Sequence, residues 1–130
     1  MFQLSKWVEA VEAVLTQFEE KTKIPYAFER WKVDENQPLA EQLPDRYLVY
    51  FLVDDVGETY AEGKETSHQP RIQVSFFYRS KEDFITVPDE IVSTFIAAGF
   101  TRSNNCGRIP YQSDTGLYGW HQDFYYYERR

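Results

Sequence analysis

The sequence predicts an α+β fold: an antiparallel sheet of about four strands with two helices on one face, in the order helix, strand, strand, strand, helix, strand. Three observations carry this. Apolar residues recur at helical spacing in two separate stretches, near 4–21 and 87–98. The segments between and after them alternate or run apolar over strand lengths. The strand connections suit hairpins, apart from one long polar stretch between the second and third strands, a loop or an arm.

In the first helix Leu4, Trp7, Val8, Val11, Leu15 and Phe18 form the apolar stripe, and Lys6, Glu9, Glu12, Glu19 and Glu20 fill the other face. Ser5 is the expected N-cap, and the Ile24-Pro25 step ends the helix, because proline disfavours helical geometry in the residue before it. Tyr26 to Trp31 is a short, edge-like strand, and 33–45 is a polar connector. Arg46 to Asp54, RYLVYFLVD, is apolar on both faces and is expected to be central. Residues 71–79 alternate, with Ile72, Val74, Phe76 and Tyr78 inward and Phe77 the outward exception. Between those strands, 55–70 is either a disordered loop or an arm made by the two strands running on to a turn at Glu62-Gly63. For the second helix, Thr86-x-x-Asp89 offers a cap, Pro88 suits the first turn, and Ile91, Val92, Phe95 and Ile96 form the stripe. Gly99 is the C′ glycine, with Phe100 packing back on the last turn. A short strand at 100–102, a turn at 104–107 and a long last strand complete the chain.

The 130 residues make one domain's worth of chain, 1–130, able to bury about two-thirds of its unfolded surface. Hydrophobic residues are 42% and aromatics 18%, so disorder is not expected. The net charge of −7 opposes non-specific binding to nucleic acid, which depends on Lys and Arg neutralising phosphates, and opposes docking on anionic lipid. One cysteine, Cys106, precludes an internal disulfide and fits a reducing compartment. No signal peptide or membrane-spanning run is visible.

Reactive constellations are few. His121 and Asp123 share a strand face and could share a metal or a proton, but two ligands fall short of a catalytic zinc set, and the simpler expectation is a solvated pair. Cys106 is expected in a turn, with neither a base nor a helix N-terminus to lower its pKa. No phosphate-loop, dinucleotide or nucleophile-elbow motif occurs. No enzyme activity and no cofactor or metal is expected. What remains is aromatic: the last strand puts Tyr118, Trp120, Phe124 and Tyr126 on one face and His121, Tyr125 and Tyr127 on the other. Helices cover one face. Phe77, Tyr125 and Tyr127 are therefore candidates for contact with a partner.

Three stretches, YAEGKE (Tyr60 to Glu65), VPDEIVSTFIAAGF (Val87 to Phe100) and YQSDTGLYGWHQDFYYYER (Tyr111 to Arg129), in this order and spacing, resemble the small tail-terminator or tail-completion proteins of long-tailed bacteriophages and of prophages in Gram-positive bacteria. The resemblance covers most of the chain. It implies a structural virion protein of the tail and neck, assembled in the host cytoplasm. Six copies would form a ring, from subunits that can be monomeric in isolation. That ring would end the tail tube, and its partners would be the tail tube protein and the head-completion or connector protein. It also implies that the stretch 55–70 is an arm used in neighbour contacts, which adds Tyr60, Glu62, Lys64 and Glu65 to the interface candidates. The alternative is a small-molecule or peptide-binding domain with an aromatic-lined pocket between helix and sheet.

Overall fold

The computed structural model describes residues 5–57, 60–61, 64–65, 67–126 and 128–129, with side chains described over 6–54 and 70–126. Helix α1 spans Ser5–Thr22. Trp7, Val11, Val14, Leu15 and Phe18 are buried beneath it, as the spacing predicts. Ser5, expected as the cap, lies instead in the first helical turn. The helix stops where Lys23 turns to φ 65°, its N–H donating to the Glu19 carbonyl at 2.7 Å.

The strands are β1 (Tyr26–Phe28), β2 (Tyr47–Gly57), β3 (Tyr60–Ala61), β4 (Lys64–Glu65), β5 (Ser67–Tyr78), β6 (Thr101–Gln112), β7 (Leu117–Tyr125) and β8 (Glu128–Arg129). A short helix α2, Leu39–Gln42, sits in the connector, and α3 spans Lys81–Ala97. The main sheet runs β1-β2-β5-β7-β6, with β8 on the outer end of β5, while β3 and β4 pair with each other. The fold is α+β, with α1 and α3 packed on one face of this sheet.

Three expectations are corrected. The sheet is mixed, not antiparallel throughout: β1 runs parallel to β2, with Tyr26 beside Leu48 and Phe28 beside Tyr50. A parallel neighbour needs a crossover. Residues 29–46 supply it by passing over the face opposite the helices, where Trp31 and Leu43 pack on Tyr47, Val49 and Leu117. Second, α3 begins at Lys81, not near 87. Ser80 accepts a hydrogen bond from the Glu82 N–H at 3.1 Å, so it, not Thr86, is the cap, and the buried stripe extends back through Val87 to half-buried Phe84. Pro88 lies inside the helix, which loses the bond its N–H would have made but continues through. Third, 101–112 is one strand, not a short strand and a turn. Irregular register at Arg102/Cys106 and at Ile109/Gln112 absorbs the Asn-Asn-Cys-Gly run. Of the two readings open for 55–70, the arm is the one found over the described residues: β2 and β5 continue as paired strands well past Asp54 and Arg71, with Gly57 beside His68.

Gly99 is the expected helix terminator: φ is 96°, the Phe100 N–H donates to the Phe95 carbonyl at 3.0 Å, and the Phe95 and Phe100 rings meet edge-on at 5.0 Å. Gly119 has a packing role. A Cβ there would lie 2.7 Å from Cβ of Ile109, so the β6–β7 pair closes only over a glycine.

The core between helices and sheet includes Trp7, Val11, Leu15, Ile91 and Phe95 with Tyr50, Phe76 and Phe124. Leu15 is 1% exposed, and Leu15→Ala is expected to cost about 2–5 kcal/mol in urea denaturation. Tyr50, in the same core, donates its hydroxyl hydrogen bond to the Glu12 carboxylate. Burial first, then that bond, raises the Tyr50 pKa, and burial also raises those of Tyr47 and Tyr78. The folded chain therefore holds these protons more tightly than the unfolded one. The stability they contribute is complete below the ordinary tyrosine value of 10.0 and is lost as pH rises above it. Chemical denaturation across this alkaline range is expected to show the decline, with a shallower slope in Tyr50→Phe.

Candidate interaction surfaces

The arm is the first candidate. Beyond the body, Asp55 pairs with Pro70, Val56 with Gln69 and Gly57 with His68, and β8 joins the same end through Ser67 beside Arg129 and His68 beside Glu128. Past this, Tyr60 pairs with Glu65 and Ala61 with Lys64. Three of the expected interface residues, Tyr60, Lys64 and Glu65, thus sit in one small antiparallel pairing. Glu62 and Tyr127 lie outside the described residues.

At the root of this arm the outer face of the sheet carries a polar cluster. Arg71 reaches Asp54 at 3.0 Å and lies 3.8 Å from Asp123, while Asn105 Nδ2 donates to Asp123 Oδ2 at 2.8 Å. Asp123 is 0% exposed, so the expected solvated His121–Asp123 pair is corrected: the carboxylate is interior and the imidazole half-buried. The reason is convergence of four strands. Arg71 on β5 ties the end of β2 to β7, and Asn105 on β6 closes over the same oxygen. Among the described residues Asp123 Oδ1, Arg71 Nε and His121 Nδ1 have no hydrogen-bond partner, and no group of three His, Cys, Asp or Glu comes together as a metal site.

The second candidate was the outer aromatic face. Phe77 stacks on Tyr47 with ring centroids 5.1 Å apart, and Tyr47 meets Trp31 at 5.3 Å. The connector carrying Trp31 and Leu43 half-buries Phe77, so the chain itself supplies the cover that the helices could not. Tyr125, half-buried, lies farther along β7 beside Arg71 and Thr101. The structure therefore does not gather Phe77 and Tyr125 into one patch; they sit at opposite ends of the β5–β7 pairing, since Phe77 pairs with Gly119.

An aromatic-lined groove of about 360 Å³ exists, but between connector and sheet, where Trp31, Tyr47 and Phe77 line it, rather than between helix and sheet. Cys106 is an exposed thiol on β6, not on a turn. One surface went unnoticed in the sequence. Tyr111 and Tyr118 meet at 4.7 Å on the helix-side face of β6 and β7, beyond the cover of α3, and Tyr111 is 54% exposed. The signal was present in the alternation of Tyr118 with Trp120, but the length of β6 hid its partner.

The polar cluster makes a specific expectation. Arg71→Ala leaves the interior Asp123 carboxylate with Asn105 alone and is expected to cost about 1–3 kcal/mol, measured by chemical denaturation.

No known protein-family model matches the chain, and no curated protein matches it. Among solved structures that match is a sheath/tube terminator of an extracellular contractile injection system, PVC, determined by cryo-electron microscopy in the extended state. It shares 14% identity with this chain at a TM-score of 0.45, and the match covers 100% of this chain and 58% of that one. The chain thus spans little more than half the length of that structure.

Proposed function

We infer that this chain is a structural subunit that ends a phage tail tube and joins it to the head connector, working in the assembled particle as a ring of six copies. The observation that carries the reading is the arm. The stretch YAEGKE, one of three that resemble tail-terminator proteins, falls where β2 and β5 run out beyond the packed body. Strands extended past their own core have backbone and side chains to offer a neighbour, and the cluster of Arg71, Asp54 and Asp123 at the root gives them a fixed direction. Tyr60, Lys64 and Glu65, with Glu62 between them in sequence, are the arm residues assigned to subunit and neighbour contacts. Tyr125, beside Arg71 at the root of the arm, is assigned to the same contacts, and Tyr127 follows it in sequence.

The chemistry agrees with a passive role. Net charge −7 repels DNA rather than gripping it, which suits a ring through which DNA must pass. No enzymatic step is assigned to any residue, and the partners are the tail tube protein and the head-completion protein.

The peptide-binding alternative has one observation of its own, the groove lined by Trp31, Tyr47 and Phe77. A Tyr47→Ala or Trp31→Ala chain that still ends tails normally would set it aside.

In cells making the phage without this chain, tails are expected to be of abnormal length and to fail to join heads. Supplying the Tyr60→Ala/Lys64→Ala variant is expected to leave the defect in place although the subunit folds. Tails of normal length that join heads in the absence of the chain would overturn the reading.

A further inference from the structure

We propose that copies of this chain contact one another head to tail through two different flanks, the Tyr111–Tyr118–Arg108 patch on β6 and β7 of one copy meeting Phe28 and the acidic side of α1 on the next. The inference rests on the self-assembly part of the tail-end reading and names the surfaces that would carry it.

The first flank is built as a contact surface. Tyr111 and Tyr118 stand 54% and 37% exposed with their rings 4.7 Å apart, and Tyr118 is backed by Tyr78 at 5.8 Å, which is itself stacked on Phe84 at 5.7 Å. The Arg108 guanidinium lies 5.3 Å from the centroid of the Phe84 ring. Exposed tyrosines held rigidly by buried rings, beside an arginine, match the residues that dominate binding energy where proteins meet. Arg108 and Lys81 are exposed, and among the described residues neither has a carboxylate within ion-pair distance, although acidic residues outnumber basic ones in the chain, 21 to 14. The neighbouring Arg79 differs, being paired with Asp45 at 3.1 Å. Arg108 and Lys81 thus place two open cations beside the rings of Tyr78, Phe84 and Tyr118.

The second flank is complementary. Glu12 and Thr16 face the β1 side of α1, through the hydroxyls of Tyr50 and Tyr26, so Glu9 and Glu20, one turn away on either side, continue a stripe there that is acidic up to Lys23 at the end of the helix. Next to it Phe28 is 46% exposed, its ring resting on Trp7 and Tyr50. A supported ring beside carboxylates fits supported rings beside cations.

Position decides the assembly. The sheet order β1-β2-β5-β7-β6 sets these flanks at opposite edges of one subunit. Two unlike, complementary surfaces on opposite edges generate a repeating head-to-tail contact, which closes as a ring when the rotation allows; one self-complementary patch would stop at a dimer.

Sedimentation velocity at low salt, from micromolar to millimolar protein, tests the contact. The unmodified chain is expected to associate with rising concentration, and less at high salt. Arg108→Glu and Glu9→Arg are each expected to weaken association about tenfold or more, because each sets like charges against one another, and the Arg108→Glu/Glu9→Arg chain is expected to recover most of it. Arg108, Glu9 and Tyr111 are exposed, so thermal melts of the variants should stay close to the unmodified chain, Arg108→Glu giving up its contact with the Phe84 ring. Tyr111→Ser provides a second, uncharged disruption. A chain that stays monomeric at millimolar concentration, or associates equally in both single variants, or is not rescued by the swap, overturns the contact. None of these outcomes touches the tail-end reading, which stands or falls on tail length and head joining in cells lacking the chain.

Discussion

Strand β5 is held on both sides: it pairs with β2 from Tyr47 beside Phe77 through Leu52 beside Ile72, and with β7 from Tyr78 beside Tyr118 to Arg71 beside Tyr125. With both neighbours hydrogen-bonded, its pleat commits every side chain to a face. Ile72, Val74, Phe76 and Tyr78 go under the helices, while Arg71, Gln73, Ser75 and Phe77 go to the outer face. A slip of one residue would put Arg71, Gln73 and Ser75 beneath α1 and α3 and expel four large apolar side chains. The helices have no alternative place to dock, since their stripes are buried against this one face. The connector depends on the same register, because Trp31 and Leu43 settle on the outer surface that Tyr47, Phe77 and Leu117 form. The arm is this strand pair continued.

How much of this could be read from sequence follows from how strongly each element is patterned. Helix α1, the parity of β5 and β7, and the Gly99 stop were legible, because each is set by periodicity or by a φ that glycine adopts without strain. The start of α3 was not. Ser80-Lys81-Glu82-Asp83 looks like a polar loop, and Pro88 favours a helix start, yet the stripe already begins at Phe84. Strand β6 was hidden because an edge strand exposed on both faces, with irregular register, shows no alternation to detect. The parallel β1–β2 pair depended on where the connector travels. Its apolar anchors, Trp31 and Leu43, are isolated residues in a polar stretch, and no local period announces what they cover. The interior position of Asp123 was equally illegible, for it requires Arg71 and Asn105 to converge from strands far apart in sequence.

The placing of that carboxylate has an energetic logic. A buried charge is costly unless paired, and Asp123 has an amide donor from β6 and a guanidinium from β5. Such a group adds little net stability over an apolar residue of the same size, but it penalises any register that separates its partners. It sits at the point where the helix-covered body gives way to the paired continuation of β2 and β5. Alternation alone would leave the direction of that continuation to the twist of two strands. Arg71, bridging Asp54 and Asp123, ties it to the third strand of the body.

The same economy of position bears on how copies could meet. A sheet with open edges invites strand addition by another chain, and proteins blunt such edges. Here β1 is three residues long, too short to template much pairing, and β6 carries Pro110, which has no N–H to donate, and two irregular steps in its register. Backbone pairing at these edges is therefore poorly supported along their length. Side chains just inside the edges are a different matter: Phe28 over Trp7 and Tyr50 at one, Tyr111 and Tyr118 over Tyr78 at the other. With the ladders blunted and the rings left standing, a contact between copies has to be made by side-chain recognition, which makes it sensitive to the charges of Glu9 and Arg108 in a way that strand addition would not be.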